Sequence, residues 1–83
     1  MADEKAGKVI HFYDKIGVAV VSLSAPIKTG DMIKISGHDK EFSQTVTSMQ
    51  IEHQKTEQAK KGQVVGMKVD QPVKENDLVY KVS

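Results

Sequence analysis

The sequence PIKTGDMIKI occupies residues 26–35, and a near copy, PVKENDLVYKV, occupies residues 72–82. Both begin with proline, a β-branched residue, lysine and a polar residue, and both continue into an apolar alternation. Gly30 and Asn76 occupy equivalent positions, and these two residue types accept a left-handed backbone. The repeat therefore predicts two equivalent turns, with a positive φ at Gly30 and at Asn76.

An aspartate follows in each phrase, Asp31 in the first and Asp77 in the second. Its side chain can accept hydrogen bonds from nearby main-chain N–H groups and hold the turn. Proline fixes the approach and is excluded from central strands. A paired acidic metal site would need more carboxylates than these two. We therefore interpret all four residues as parts of structural turns and expect no metal there.

Short runs rich in Val, Ile and Thr, separated by turn residues, fill the rest of the chain. They lie at 8–13, 18–23, 31–37, 41–53, 63–69 and 77–82. The second run, VAVVSL, is apolar on both faces, which is typical of a closed or covered sheet. Six strands without a substantial helix predict an all-β domain, and closure into a barrel would remove exposed edges. We expect a flexible tail at 1–6 and a single β-barrel domain at 7–83.

The fourth run cannot be one continuous strand. Phe42 and Val46 point to one face of an ideal strand, whereas Met49 and Ile51 point to the other. Because all four are apolar, a bulge or bend near 47–48 is needed to bring both pairs into the core.

Composition limits the function classes. The chain has 83 residues, a formal net charge of +1 and no cysteine, and every basic residue is lysine. Without arginine, bidentate contacts to phosphate and guanine are missing, so a DNA-binding role is not expected, although lysine leaves weak RNA binding open. No apolar run is long enough to span a membrane or to form a signal peptide, so we expect a cytoplasmic protein.

No catalytic or cofactor motif is present, and we expect neither enzymatic activity nor a cofactor. His11, His38 and His53 match no metal-ligand spacing, which favours ordinary surface histidines. The segment QKTEQAKKG at 54–62 is a candidate loop for an anionic ligand, but its mixed charge favours a solvated connection with at most one helical turn.

Three stretches, at 17–37, 46–69 and 73–82, resemble in this order the second domain of translational GTPases such as elongation factor Tu. The shared features are a Gly-Val-Ala strand, a Lys-x-Gly-Asp turn and a Ser-Met-Gln strand, followed by a charged segment and a Val-Gly strand. This resemblance implies a six-stranded closed Greek-key β-barrel of the translation-protein domain 2 type. It does not imply GTP hydrolysis, since the GTP-binding domain of that family is missing.

The same resemblance implies a binding surface for the aminoacylated end of tRNA. The candidate binding residues are Gln50, His53, Lys55, Lys60 and Lys61. Gln50 and His53 replace an acid and a basic residue of the family. The expected function is that of a binding or adaptor module for RNA or a ribosome-associated component.

The alternative is a protein-interaction barrel that partners a separately encoded enzyme. A similar barrel ends certain collagenase-like peptidases of the U32 type as an accessory domain. Balanced charge and the lack of arginine favour a protein partner.

Overall fold

The computed structural model describes residues 4–37, 40–52 and 54–82. In these ranges the chain forms β-strands and no helix, which confirms the all-β class. The strands are β1 (Glu4–Tyr13), β2 (Val18–Leu23), β3 (Ile27–Lys28), β4 (Met32–Ser36), β5 (Glu41–Thr45), β6 (Met49–Ile51), β7 (Gln54–Thr56), β8 (Gln58–Ala59), β9 (Val64–Lys68) and β10 (Leu78–Lys81).

Eight strands form one antiparallel sheet in the order β5-β4-β10-β1-β2-β9-β6-β7, and β3 pairs with β8 in a separate two-stranded sheet. The predicted six-stranded closed barrel is therefore wrong. The large sheet is open, because its edge strands β5 and β7 are not paired with each other in the described parts of the chain. Two register shifts bend β1, one against β10 between Lys5 and Gly7 and one against β2 between Val9 and His11, and such bulges let a sheet curl without closing.

Two boundaries differ from the sequence prediction. Strand β1 begins at Glu4, and Ala6 is fully buried, so residues 4–6 belong to the sheet and not to a flexible tail. The charged segment 54–62, expected as a solvated connection, contains β7 and β8. Strand β7 pairs with β6, and β8 pairs with β3. Main-chain hydrogen bonds form these pairs, so the strands do not need apolar side chains.

The predicted break in the fourth run is present. Strand β5 ends at Thr45 and β6 begins at Met49, and Val46 and Met49 are both buried across the interruption. Phe42 and Ile51 pack against the same core from partly buried positions. The break thus lets Phe42 and Val46 before it, and Met49 and Ile51 after it, all face the core.

The core lies against one face of the large sheet, and the small sheet adds to it. Ala19, Val21 and Leu23 alternate inward along β2, and β3 and β8 contribute Ile27 and Ala59. The largest fully buried side chains are Ile27, Ile33, Ile35, Met49, Met67, Val9, Val21, Val46, Val65 and Val79.

One turn geometry occurs three times, at 28–31, 60–63 and 74–77. In each, the N–H of the first residue donates to a side-chain oxygen of the fourth, at 3.0, 2.7 and 2.9 Å respectively. The third residue has a positive φ: 94° at Gly30, 91° at Gly62 and 76° at Asn76. The sequence repeat pointed to the first and last copies and missed the middle one, where Gln63 replaces aspartate and no proline precedes.

Gln44 joins the edge strand β5 to the end of β9. Its amide nitrogen donates to the carbonyl of Lys68 at 2.9 Å, and its amide oxygen accepts from the N–H of Asp70 at 2.7 Å. Among the described residues Gln44 is the single buried polar or charged side chain, at 5% exposure. One side chain therefore links β5 to the end of β9 through two hydrogen bonds, one as donor and one as acceptor.

We expect Gln44→Leu to lower the free energy of unfolding by about 1–2 kcal/mol, because it leaves the Lys68 carbonyl and the Asp70 N–H without partners. Urea denaturation measures the loss. Ser43→Ala, at an exposed neighbouring position, is the control and should change stability by less than about 0.5 kcal/mol. Equal stability of the two variants would show that the Gln44 bridge contributes nothing.

Candidate functional site

An apolar concave surface, a groove of about 520 Å³, lies on the outer face of the large sheet between the β1–β2 turn and β6. Its lining residues are Tyr13, Ile16, Val18, Val20, Gln50, Glu52, Val64, Val65 and Gly66. We call this surface the apolar groove. Its volume is within the usual range for binding clefts in proteins.

The floor of the apolar groove follows from side-chain alternation in β2 and β9. Val18 and Val20 point away from the core and are only half-buried, and Val64 is 46% exposed on the neighbouring strand. Gly66 pairs with Val20, and a Cβ at Gly66 would lie 3.3 Å from Val18 Cγ1, so the Val18 side chain packs closely beside the glycine. Apolar residues on both faces of β2 predicted a covered sheet, but in the structure the outer face is uncovered.

The β1–β2 turn forms one end of the apolar groove. The N–H of Gly17 donates to the carbonyl of Tyr13 at 2.9 Å, and the Gly17 carbonyl accepts from the N–H of Val69 at 2.9 Å. These bonds hold the turn against the sheet while Ile16 remains 62% exposed and Tyr13 50% exposed. Large apolar side chains held in water by a fixed turn are typical of an interaction surface.

Polar groups form the opposite rim. Gln50 is exposed on β6, and Glu52 follows in the turn to β7 with a φ of 52°. A left-handed conformation at a residue other than glycine costs about 1–3 kcal/mol, and such residues are concentrated at functional sites. An apolar floor with a polar rim is the usual composition of a protein-binding surface.

The five predicted binding residues do not form one site. Gln50 lies on the rim of the apolar groove, whereas Lys60 and Lys61 line a second cleft beside β3 and β8. Lys55 is exposed on β7 opposite Gln50 and lines neither surface. His53 lies outside the described residues.

Sequence reasoning missed Tyr13, Ile16, Val18, Val20 and Val64 as site residues. The available signal was the two-sided apolar pattern of β2, which we attributed to burial within a barrel. Whether an outward-facing valine is covered depends on strands that are distant in the sequence. The local sequence pattern therefore cannot show whether such a valine is covered.

The histidines lie outside the lining of the apolar groove where the structure describes them. The rings of His11 and Tyr13 pack edge to face, with 4.3 Å between their centroids. The Nδ1 atom of His11 lies 3.6 Å from Oε2 of Glu75. His38 lies outside the described residues. Within 4–37, 40–52 and 54–82, no group of three or more His, Cys, Asp or Glu side chains could hold a metal ion. The same ranges contain no helix with the length and apolar character needed to cross a membrane.

Comparison with known sequences gives a peptidase relative. An uncharacterized protease of Methanocaldococcus jannaschii is 44% identical over 75 residues, which cover 89% of this chain. The chain spans only 18% of the length of that protease. No protein-family model matches the chain.

Two solved structures share the fold. Both are crystal structures of the C-terminal domain of the "putative U32 peptidase" of Geobacillus thermoleovorans, one of them the selenomethionine variant. The variant superimposes with a TM-score of 0.90 at 25% identity and covers 94% of this chain and 99% of that domain. The other has a TM-score of 0.90 at 24% identity and covers 96% of this chain and 93% of the domain.

These findings show that the assignment to the second domain of elongation factor Tu was wrong. Its motifs, the Lys-x-Gly-Asp turn and the Ser-Met-Gln strand, are turn and strand signals that are not specific to that domain. The open sheet also departs from the barrel that the assignment implied. In sequence the chain is similar to part of an archaeal protease, and in fold it is similar to the C-terminal domain of a U32 peptidase.

Proposed function

We propose that the chain is a non-catalytic protein-interaction domain whose partner is a peptidase of the U32 type. The apolar groove is the docking surface. The observation that carries the proposal is the uncovered outer face of β2 and β9, where Val18, Val20 and Val64 meet Tyr13 and Ile16.

The choice of partner rests on the two comparisons. The same fold occurs at the C-terminal end of one peptidase, and a sequence 44% identical occurs within another protease. Burial of an apolar patch stabilises a complex by about 25 cal/mol for each Å² removed from water, before the entropic cost of association. An uncovered apolar groove on such a domain therefore favours contact with the peptidase over contact with nucleic acid.

The domain contributes binding and not hydrolysis. Its sequence has no cysteine for a thiolate nucleophile, and Asp31 and Asp77 accept main-chain hydrogen bonds within turns. Purified chain should leave fluorescein-labelled casein uncut. Hydrolysis that persists at constant specific activity through purification to homogeneity would contradict this part of the proposal.

Co-purification from native extract tests the partner. Tagged chain, expressed in its source organism, should retain a U32-type peptidase identified by mass spectrometry, and nuclease treatment should leave the amount unchanged. The proposal would be overturned if nuclease treatment removed the peptidase from the tagged chain, or if the eluate contained no peptidase.

A further inference from the structure

A second concave surface, of about 590 Å³, lies beside the small sheet. Among the described residues, four lysines line it together with a single carboxylate: Lys28, Lys60, Lys61, Lys81 and Asp31. We call it the lysine cleft. It shares no lining residue with the apolar groove.

The fold builds this cluster from the repeated turn. Lys28 begins the turn at 28–31, and Lys60 begins the turn at 60–63. The pairing of Ile27 with Ala59 in the small sheet places the two turns side by side. Residues more than thirty positions apart in sequence thus contribute charges to one surface.

Most of the positive charge in the lysine cleft is uncompensated. Asp31, whose side chain is only 12% exposed, pairs with Lys81 at 3.6 Å and also accepts the N–H of Lys28. Within the described residues, no carboxylate lies at ion-pairing distance from the side chains of Lys28, Lys60 or Lys61. Clustered like charges repel one another in the folded state, and an anionic ligand would remove that cost.

We propose that the lysine cleft binds an acidic polypeptide segment. The cleft is too large for a single carboxylate or phosphate, and its lysines come from two turns and from β10. Pro26, Ile27 and Ala59 provide apolar lining that glutamate methylene groups can contact. Nucleic acid fits less well, because the chain has no arginine and none of the described residues that line the cleft is an aromatic residue for base stacking.

Titration with a hexaglutamate peptide, capped at both ends, tests this assignment. We expect binding at low ionic strength that weakens toward physiological salt, as screening of exposed charges requires. Lys60→Glu/Lys61→Glu should raise the Kd by about tenfold or more, and the folded state should survive because both side chains are exposed.

Lys15→Glu/Lys55→Glu is the matched control, since it makes the same change in net charge outside the lysine cleft. It should raise the Kd by less than about threefold. Equal weakening by both double variants, or no binding by the unmodified chain at low salt, would overturn the proposal. Tighter binding of a hexauridylate, lost in Lys60→Glu/Lys61→Glu, would replace the acidic peptide with RNA.

Discussion

Val64→Glu should weaken the affinity of the chain for the proposed partner, a U32-type peptidase, by about thirtyfold or more. Val64 is 46% exposed in the free chain, so a carboxylate there stays hydrated and the fold is retained. In the complex the same carboxylate would be buried against apolar side chains, at a cost of at least about 2 kcal/mol. Isothermal titration calorimetry with the purified peptidase measures the change in Kd.

Met32→Glu is the matched control for Val64→Glu. Met32 is 42% exposed on β4 and does not line the apolar groove, so the substitution makes the same chemical change at similar exposure. Its Kd should stay within about twofold of that of the unmodified chain. If both variants bind as tightly as the unmodified chain, the apolar groove is not the docking surface.

Gly30→Val should lower the free energy of unfolding by about 2–3 kcal/mol. Gly30 has a φ of 94°, and a β-branched side chain strongly disfavours that region. A Cβ at Gly30 would meet no atom within 4 Å, so the cost is conformational strain and not crowding. The N–H of Gly30 also donates to the carbonyl of Val46 at 2.8 Å, so relaxation of the turn would break a bond to the β5–β6 connection.

Asn76→Gly separates backbone strain from the loss of a particular side chain. Asn76 has a φ of 76° in the equivalent turn, and glycine adopts that conformation without strain. We expect Asn76→Gly to change stability by less than about 1 kcal/mol in urea denaturation. Equal stability of Gly30→Val and the unmodified chain would contradict the turn model.

Local chemistry explains which parts of the fold the sequence could predict. The turns at Gly30 and Asn76 were predictable because positive φ restricts residue choice at a single position. The break before Met49 followed from side-chain parity along one strand. Both signals are contained within a few neighbouring residues.

The errors concern long-range pairing. Strands β7 and β8 carry charged and polar residues, and pairing with β6 and β3 makes them strands. Whether the sheet closes depends on whether its edge strands β5 and β7 pair with each other, and these strands are far apart in the strand order. The resemblance to elongation factor Tu led us to predict a closed barrel, and the strand order shows that this prediction was wrong.

The predicted binding residues show the same limit, because their positions relative to one another depend on long-range pairing. Gln50, Lys60 and Lys61 were named as one binding surface, but the fold separates Gln50 on the apolar groove from the two lysines on the lysine cleft. The β1–β2 turn and β9 form the groove with β2, although Ile16 and Val64 are distant in sequence. A single sequence does not report that proximity.

A methyl-resolved NMR titration with the purified peptidase tests the central claim most directly. Addition of the peptidase should shift or broaden the methyl signals of Ile16, Val18, Val20 and Val64, while those of the buried Ile35 and Val79 change little. The account predicts that these changes saturate at one peptidase per chain. No methyl change at excess peptidase, or changes confined to residues outside the apolar groove, would contradict it.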